Sequence, residues 1–292
     1  MKGYSRFILL KLLTFLLIFS SGITAAEVKK ASKGQVTLVY VEWSSEIAST
    51  NVVKTILEEL GYKVEMLSVS AAAMWQAVAS GDADAHVAAW LPSTHAHYFE
   101  AVKDKVEDLG ANLEGTKIGL VVPAYVTINS IEELNANVDK FQGKIIGIDP
   151  GAGLMSKTET VIKEYHLDKF KLIEGSGATM AAALKEAIRT QQWIVVTGWT
   201  PHWKFSRWQL KYLEDPKKIY GDEEYIGTIV RKGLREDMPE VYHFLDNFYW
   251  TTADMEKVMI WNEEPNTTPE ENAKRWVNEN RDKVAKWLSF NK

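Results

Sequence analysis

The chain switches repeatedly between two hydrophobic periods. Val36–Val41 is a β-branched run, read as a strand. Ile47, Val52, Val53, Ile56, Leu57 and Leu60 recur at helical spacing across Ser45–Leu60, which stops at Gly61. Lys63–Val69 is a second strand, Ala71–Ser80 a short helix stopped by Gly81, and Ala85–Trp90 a third strand followed by Pro92. Lys117–Val122 is a further strand ahead of Pro123. The order then repeats as strand Lys144–Ile148, helix Met155–Tyr165, strand Phe170–Glu174, helix Ala178–Arg189 and strand Trp193–Thr197. Gly227–Arg231 reads as a returning strand, and the remaining carboxyl-terminal segments are helical. The last helix is marked by Thr268 as N-cap, Pro269 in its first position and Glu271 completing a capping box. Ala273, Trp276, Val277, Val284, Trp287 and Leu288 keep one face of it apolar. Strands alternating with helices predict βαβ units and an α/β fold.

The two runs of elements follow one plan. Met74 precedes Trp90 by 16 residues and Met180 precedes Trp199 by 19, while Trp43 precedes Trp90 by 47 and Gly153 precedes Trp199 by 46. The pattern predicts two lobes, each a mostly parallel sheet flanked by helices, joined by two hinge strands near residues 117–124 and 225–232. Lobe I is expected to be discontinuous, made of residues 27–122 plus 228–292, and lobe II to span residues 123–227.

Residues 1–26 read as a secretory signal. Lys2 and Arg6 form a positive start, an apolar stretch runs from Phe7 to Phe19, and Thr24-Ala25-Ala26 offers small residues for cleavage. The uninterrupted apolar part is shorter than the ~20 residues a membrane span needs. Cleavage after residue 26 removes three positive charges and takes the net charge from −5 to −8. Such a chain, with a pI of about 5.8 before cleavage, has no basic stripe to neutralise nucleic-acid phosphates. With 46% hydrophobic and 25% charged residues the composition is that of a globular protein, which excludes a disordered chain or a fibre. There is no cysteine, so export brings neither a disulfide nor a lipid-modified cysteine. The expectation is a soluble, untethered periplasmic monomer.

The composition has one excess: 11 Trp against 11 Tyr and 10 Phe. Most of these indoles, Trp75, Trp193, Trp250, Trp261, Trp276 and Trp287 among them, sit in helix and strand patterns that read as packing, and Trp203 and Trp208 are ambiguous. Three fall at ends of predicted strands, where ligands of open α/β sheets bind: Trp43 after Val36–Val41, Trp90 closing Ala85–Ala89, and Trp199 after Trp193–Thr197. Indole faces attract cations, and a desolvated contact is worth about 2 kcal/mol or more. A quaternary ammonium has no N–H to give an acceptor and is weakly hydrated, so a box of ring faces suits it. The glycine-containing turn Gly151-Ala152-Gly153-Leu154 opens a helix, where free backbone N–H groups favour a carboxylate. His95 can add a side-chain N–H, and its protonation would strengthen the hold on a carboxylate at lower pH.

At these residues the chain resembles the substrate-binding proteins of glycine betaine ABC transporters, in their osmoprotectant-uptake branch. The resemblance rests on Tyr40–Val52, Ala89-Trp90-Leu91-Pro92-Ser93-Thr94-His95, Gly147–Gly153 and Thr197-Gly198-Trp199-Thr200-Pro201-His202-Trp203, with Phe205–Arg207 and Lys211–Pro216 also fitting. It covers nearly all of residues 36–290 and implies a hinged, two-lobed periplasmic-binding-protein fold of the type II kind. It also implies that Trp43, Trp90 and Trp199 form a prism around a trimethylammonium group. Gly153 and Leu154 amides would hold the ligand carboxylate, assisted by His95. The implied partners are a membrane permease and its ATPase, with no cofactor, no metal and no catalysis. Glycine betaine is the expected ligand, with proline betaine a further one and carnitine or choline as alternatives. Many Gram-positive relatives are anchored through a lipidated cysteine, from which this chain departs. A different class of reading is an exported metal-dependent enzyme using His86, His95 and His97 near Asp82 and Asp84, residue types that suit zinc.

Overall fold

Strand β1, Gln35–Tyr40, opens the fold, and a computed structural model describes residues 32–289 of the chain. The expected signal at residues 1–26 lies outside the described residues. The other strands are β2 (Lys63–Ser68), β3 (Ala85–Leu91), β4 (Val106–Pro123), β5 (Lys144–Ile146), β6 (Lys171–Ile173), β7 (Val196–Thr200), β8 (Leu210–Tyr212) and β9 (Glu224–Arg231). The helices are α1 (Ser44–Glu59), α2 (Ala71–Ser80), α3 (Ala96–Val102), α4 (Gly153–Glu164), α5 (Gly177–Arg189), α6 (Trp203–Arg207), α7 (Leu234–Asp237), α8 (Pro239–Asn247), α9 (Thr252–Asn262), α10 (Pro269–Glu279) and α11 (Arg281–Leu288).

Strand order is β2-β1-β3-β9-β4-β7-β5-β6, with β8 on β4. The wings are parallel: β1 pairs with β2 and β3, and β5 with β6 and β7. Where β9, β4 and β7 meet them the pairing is antiparallel, so the sheets are mixed rather than mostly parallel. The reason is that β4 and β9 are not part of any βαβ unit; each arrives from the opposite direction. Long β4 is shared. Its first part pairs with β9 as far as Thr116↔Glu224, and from Lys117↔Thr200 it pairs with β7. The hand-over thus falls before the expected lobe boundary at 122/123, and β9 pairs within the first sheet from Glu224 onward, ahead of residue 228.

Local signals account for most boundaries. Ser70 caps α2 through a bond from the Ala73 N–H, and Gly81 ends it in a left-handed conformation (φ 80°) that glycine adopts without strain. Capping boxes open α5 at Ser176/Thr179 and α10 at Thr268/Glu271. Three expectations shift. Strand β4 begins at Val106 instead of Lys117, because register breaks near Gly110 and Gly115 interrupt its alternation. Strand β7 begins at Val196 instead of Trp193, so Trp199 lies within it rather than after it. The last helix is two, broken at Asn280, whose ψ of 36° is not helical.

Helices α9 and α10 pack on α1, closing the first sheet's core. Trp75, Trp250 and Trp276 are among the largest fully buried side chains, and Trp276 stacks on Trp287 at 5.8 Å. Among the described residues no helix is long and apolar enough to cross a membrane.

Candidate functional site

The parallel strands β1 and β3 of the first sheet and β5 and β7 of the second end at one cleft. A cavity there holds about 300 Å³ of space, counted out to its mouth, and Trp43, Trp90, Trp199, His95, Gly153 and Leu154 all line it. Ser45, Thr94, Ile118, Ile148 and Ala152 complete the wall. The six residues singled out from sequence therefore meet, although they come from separate turns and strands up to 156 positions apart.

Each indole edge is tied down while its face is left for the cavity. Trp43, the residue just before α1, donates its Nε1–H to Asp149 Oδ2 at 3.1 Å. Trp90, within β3, donates to Glu46 Oε1 at 2.8 Å. Trp199, within β7, donates to Ser45 Oγ at 3.3 Å. The Trp43 and Trp199 bonds cross the cleft between the sheets, as do Tyr98 Oη to the Gly151 carbonyl at 2.6 Å and Lys157 Nζ to Ser93 Oγ at 2.7 Å. The three indoles are only 4–5% exposed, so ring faces and apolar walls dominate the cavity.

Behind Trp199 lies a buried lysine. Lys204 Nζ sits 4.4 Å from the indole centroid with no hydrogen-bond partner, and His202 meets the same ring edge-on at 4.5 Å. Burial drives the Lys204 ammonium well below its ordinary range and His202 likewise, with the lysine charge adding to the latter.

The start of α4 and the loop after β3 supply donors. Gly153 and Leu154 are the first two residues of α4, so their N–H groups have no partner inside the helix, and no side chain caps it at Ala152. His95 accepts the Trp90 N–H on Nδ1 at 3.2 Å, which leaves Nε2 to carry the proton of a neutral ring. Burial, with a smaller contribution from His97, pushes His95 down to about 3. The expected gain of a proton by His95 at lower pH is thereby moved far below neutrality, and the ring is neutral with its Nε2–H free of that bond. Glu224 fixes the loop that carries it, accepting the Ser93 and Thr94 N–H groups at 2.7 Å each and the Thr94 hydroxyl.

The sequence reading missed Glu46, Ser45, Asp149, Thr94 and Glu224. Glu46 and Asp149 stand inside the quoted motifs, yet nothing in a linear pattern says that their carboxylates bond to indoles.

The three histidines of the metal reading do not converge. His86 packs edge-on against Trp75 at 4.8 Å, and His97 is exposed and lies against Tyr98. Asp84 is taken up by Arg231 at 2.7 Å and the Thr37 N–H at 2.8 Å, and Asp82 by Ser80 at 2.6 Å. Among the described residues no group of three or more His, Cys, Asp or Glu could hold a metal ion.

A cleft between two sheets, lined by Trp43 and Trp90 from the first and by Trp199 and the start of α4 from the second, defines the class: a two-lobed substrate-binding protein. The particular family follows from the sequence as a whole. The profile described as the substrate binding domain of ABC-type glycine betaine transport systems matches residues 34–279, and the chain belongs to that family. It is similar to the glycine betaine/carnitine transport binding protein GbuC of Listeria monocytogenes, 52% identical over 145 residues, which are 49% of this chain and 48% of that protein. The match thus spans about half the length of that relative. Among solved structures it is similar to lactococcal OpuAC in its closed-liganded conformation complexed with glycine betaine, at 46% identity and a TM-score of 0.84, covering 88% of this chain and all of that one (100%). It is also similar to the glycine/betaine/L-proline-binding protein ProX of Borrelia burgdorferi, at 41% identity and a TM-score of 0.85, covering 88% and 97%.

Proposed function

We propose that this protein captures glycine betaine outside the cytoplasm and delivers it to the permease and ATPase of an ABC importer. Trp43, Trp90 and Trp199 present their faces to the trimethylammonium group. The Gly153 and Leu154 N–H groups, with His95 Nε2–H, take the carboxylate. The observation that carries this reading is that a ring-faced pocket and an uncapped helix N-terminus line one small cavity. A zwitterion with a bulky cation at one end and an anion at the other satisfies both walls at once. Bonds across the cleft support closure around the ligand, since contacts made only by the closed form shift the equilibrium toward it. Proline betaine has the same two ends and is expected to bind. Choline leaves the helix-end donors unmatched, and carnitine is longer than the pocket favours.

Calorimetry on the purified receptor with glycine betaine, proline betaine, carnitine and choline tests the reading. The two betaines are expected to bind most tightly. Choline binding as tightly as glycine betaine would refute the carboxylate wall, and no binding by any of the four would refute the ligand class.

A further inference from the structure

Glu46 lies in α1, 1% exposed and outside the lining of the cavity, which Ser45 and Trp90 form in its place. Its two oxygens nonetheless govern two of the three indoles. Oε1 accepts the Trp90 Nε1–H at 2.8 Å, and Oε2 accepts the Ser45 hydroxyl, whose oxygen in turn accepts the Trp199 Nε1–H at 3.3 Å. The Ser45 hydroxyl proton can point at Glu46 because its oxygen is already occupied by the indole N–H. That donor pattern satisfies an ionised carboxylate on both oxygens. A protonated one would add an O–H donor where both neighbours already donate, and leave one oxygen a weaker acceptor.

We propose that Glu46 is a positioning and counter-charge residue of the indole cage: it aims Trp90 and, through Ser45, Trp199, and its negative charge makes the cage prefer a cation over a neutral group of the same shape. This rests on the betaine-binding reading of the site. An indole whose N–H is bonded to an anion presents a more electron-rich face, and a carboxylate one side chain away from the cavity attracts the cation further in a poorly hydrated interior.

A pH signature follows. Burial raises the Glu46 carboxyl from its ordinary range to about 7, against the opposing effect of the Ser45 and Trp90 bonds. A cation in the cage favours the ionised form, so binding releases a proton and affinity rises with pH until Glu46 is ionised without ligand. The other titratable groups around the cage are His95 on the β3–α3 loop, His86 in β3, Asp149 before α4, Glu224 at the start of β9, and His202 and Lys204 beyond Trp199. His86 and His95 are held at about 3, and His202 is also held low, so none of these rings charges near neutrality. Asp149 bonds Trp43 rather than Glu46. Lys204 is a competitor, because gaining a charge at lower pH would weaken cation binding with the same sign.

The test compares glycine betaine with its uncharged-headgroup carbon isostere, tert-butylacetate, on wild-type protein and Glu46→Gln by calorimetry. In the wild type, betaine affinity is expected to rise about tenfold from pH 5.5 to 8.5, the rise produced when the bound cation makes the Glu46 proton about ten times easier to release. With the isostere that rise is expected to be absent. In Glu46→Gln the betaine profile is expected to flatten. The betaine-to-isostere ratio at about pH 8 is expected to fall about tenfold, by the same coupling between cation and carboxylate, while isostere binding persists. Persisting isostere binding shows that the cavity is still formed. A retained slope in Glu46→Gln assigns the effect to another group and overturns the proposal, as does an unchanged ratio. A wild-type profile that is flat for betaine overturns it without any variant. Failure of the wild type to bind betaine at all refutes instead the reading on which it rests.

Discussion

Gly153→Ala is a one-methyl test of cleft closure. A Cβ on Gly153 would sit 2.2 Å from the Thr94 carbonyl oxygen and 2.7 Å from Thr94 Cγ2. Thr94 cannot step aside cheaply, because Glu224 holds its N–H and its hydroxyl. Ordinary contact therefore requires the two walls to separate by ~1 Å. That separation stretches the cross-cleft bonds: Trp43 to Asp149 at 3.1 Å, Trp199 to Ser45 at 3.3 Å, Tyr98 to Gly151 at 2.6 Å and Lys157 to Ser93 at 2.7 Å. Losing two or three such bonds, each worth roughly 1 kcal/mol net, raises the closed form by about 2–3 kcal/mol. At 1.4 kcal/mol per factor of ten, betaine affinity should fall about 30- to 140-fold. Folding should not suffer. Gly153 is the first residue of α4, and alanine is the better helix former by up to about 1 kcal/mol, so the ligand-free Tm should hold or rise by about 2–4 °C. Calorimetry gives the first number and thermal unfolding without ligand the second. Binding within threefold of wild type would show that the walls do not approach this closely around ligand. Weak binding with a lowered Tm would show damage to the fold instead.

Two further outcomes follow from the site. Trp199→Ala removes a ring face worth about 2 kcal/mol together with a cross-cleft bond, so betaine affinity should drop by at least about 30-fold, with Trp199→Phe intermediate; calorimetry showing wild-type affinity for the alanine variant sinks the three-indole cage. His95, held at about 3 by burial, is neutral on both sides of any measurement from pH 5.5 to 8.5, so His95→Ala should weaken binding about fivefold through a lost neutral donor and leave the slope of affinity against pH unchanged; a slope that differs from wild type assigns it a proton within that range.

The parallel wings were legible because their signals are local. A β-branched run, a capping serine or a glycine stop acts within a few residues, so β1, α2 and the opening of α10 fall where the pattern puts them. The site motifs were legible for the same reason, since each is short and stands at a strand end or helix start. The first part of β4 was not, because its register breaks erase the alternation that marks a strand. Its pairing partner β9 is remote in sequence, and only that pairing makes the segment a strand.

By itself, then, the sequence determined the βαβ units and singled out six residues that come to line one cavity, since periodicity and short motifs are written into neighbouring residues. Only the tertiary structure decided that Glu46 stands behind two indoles, that His95 is kept neutral, and that a methyl group on Gly153 has no room. Those properties depend on burial and on distances between segments far apart in the chain, which exist only once the two sheets face each other.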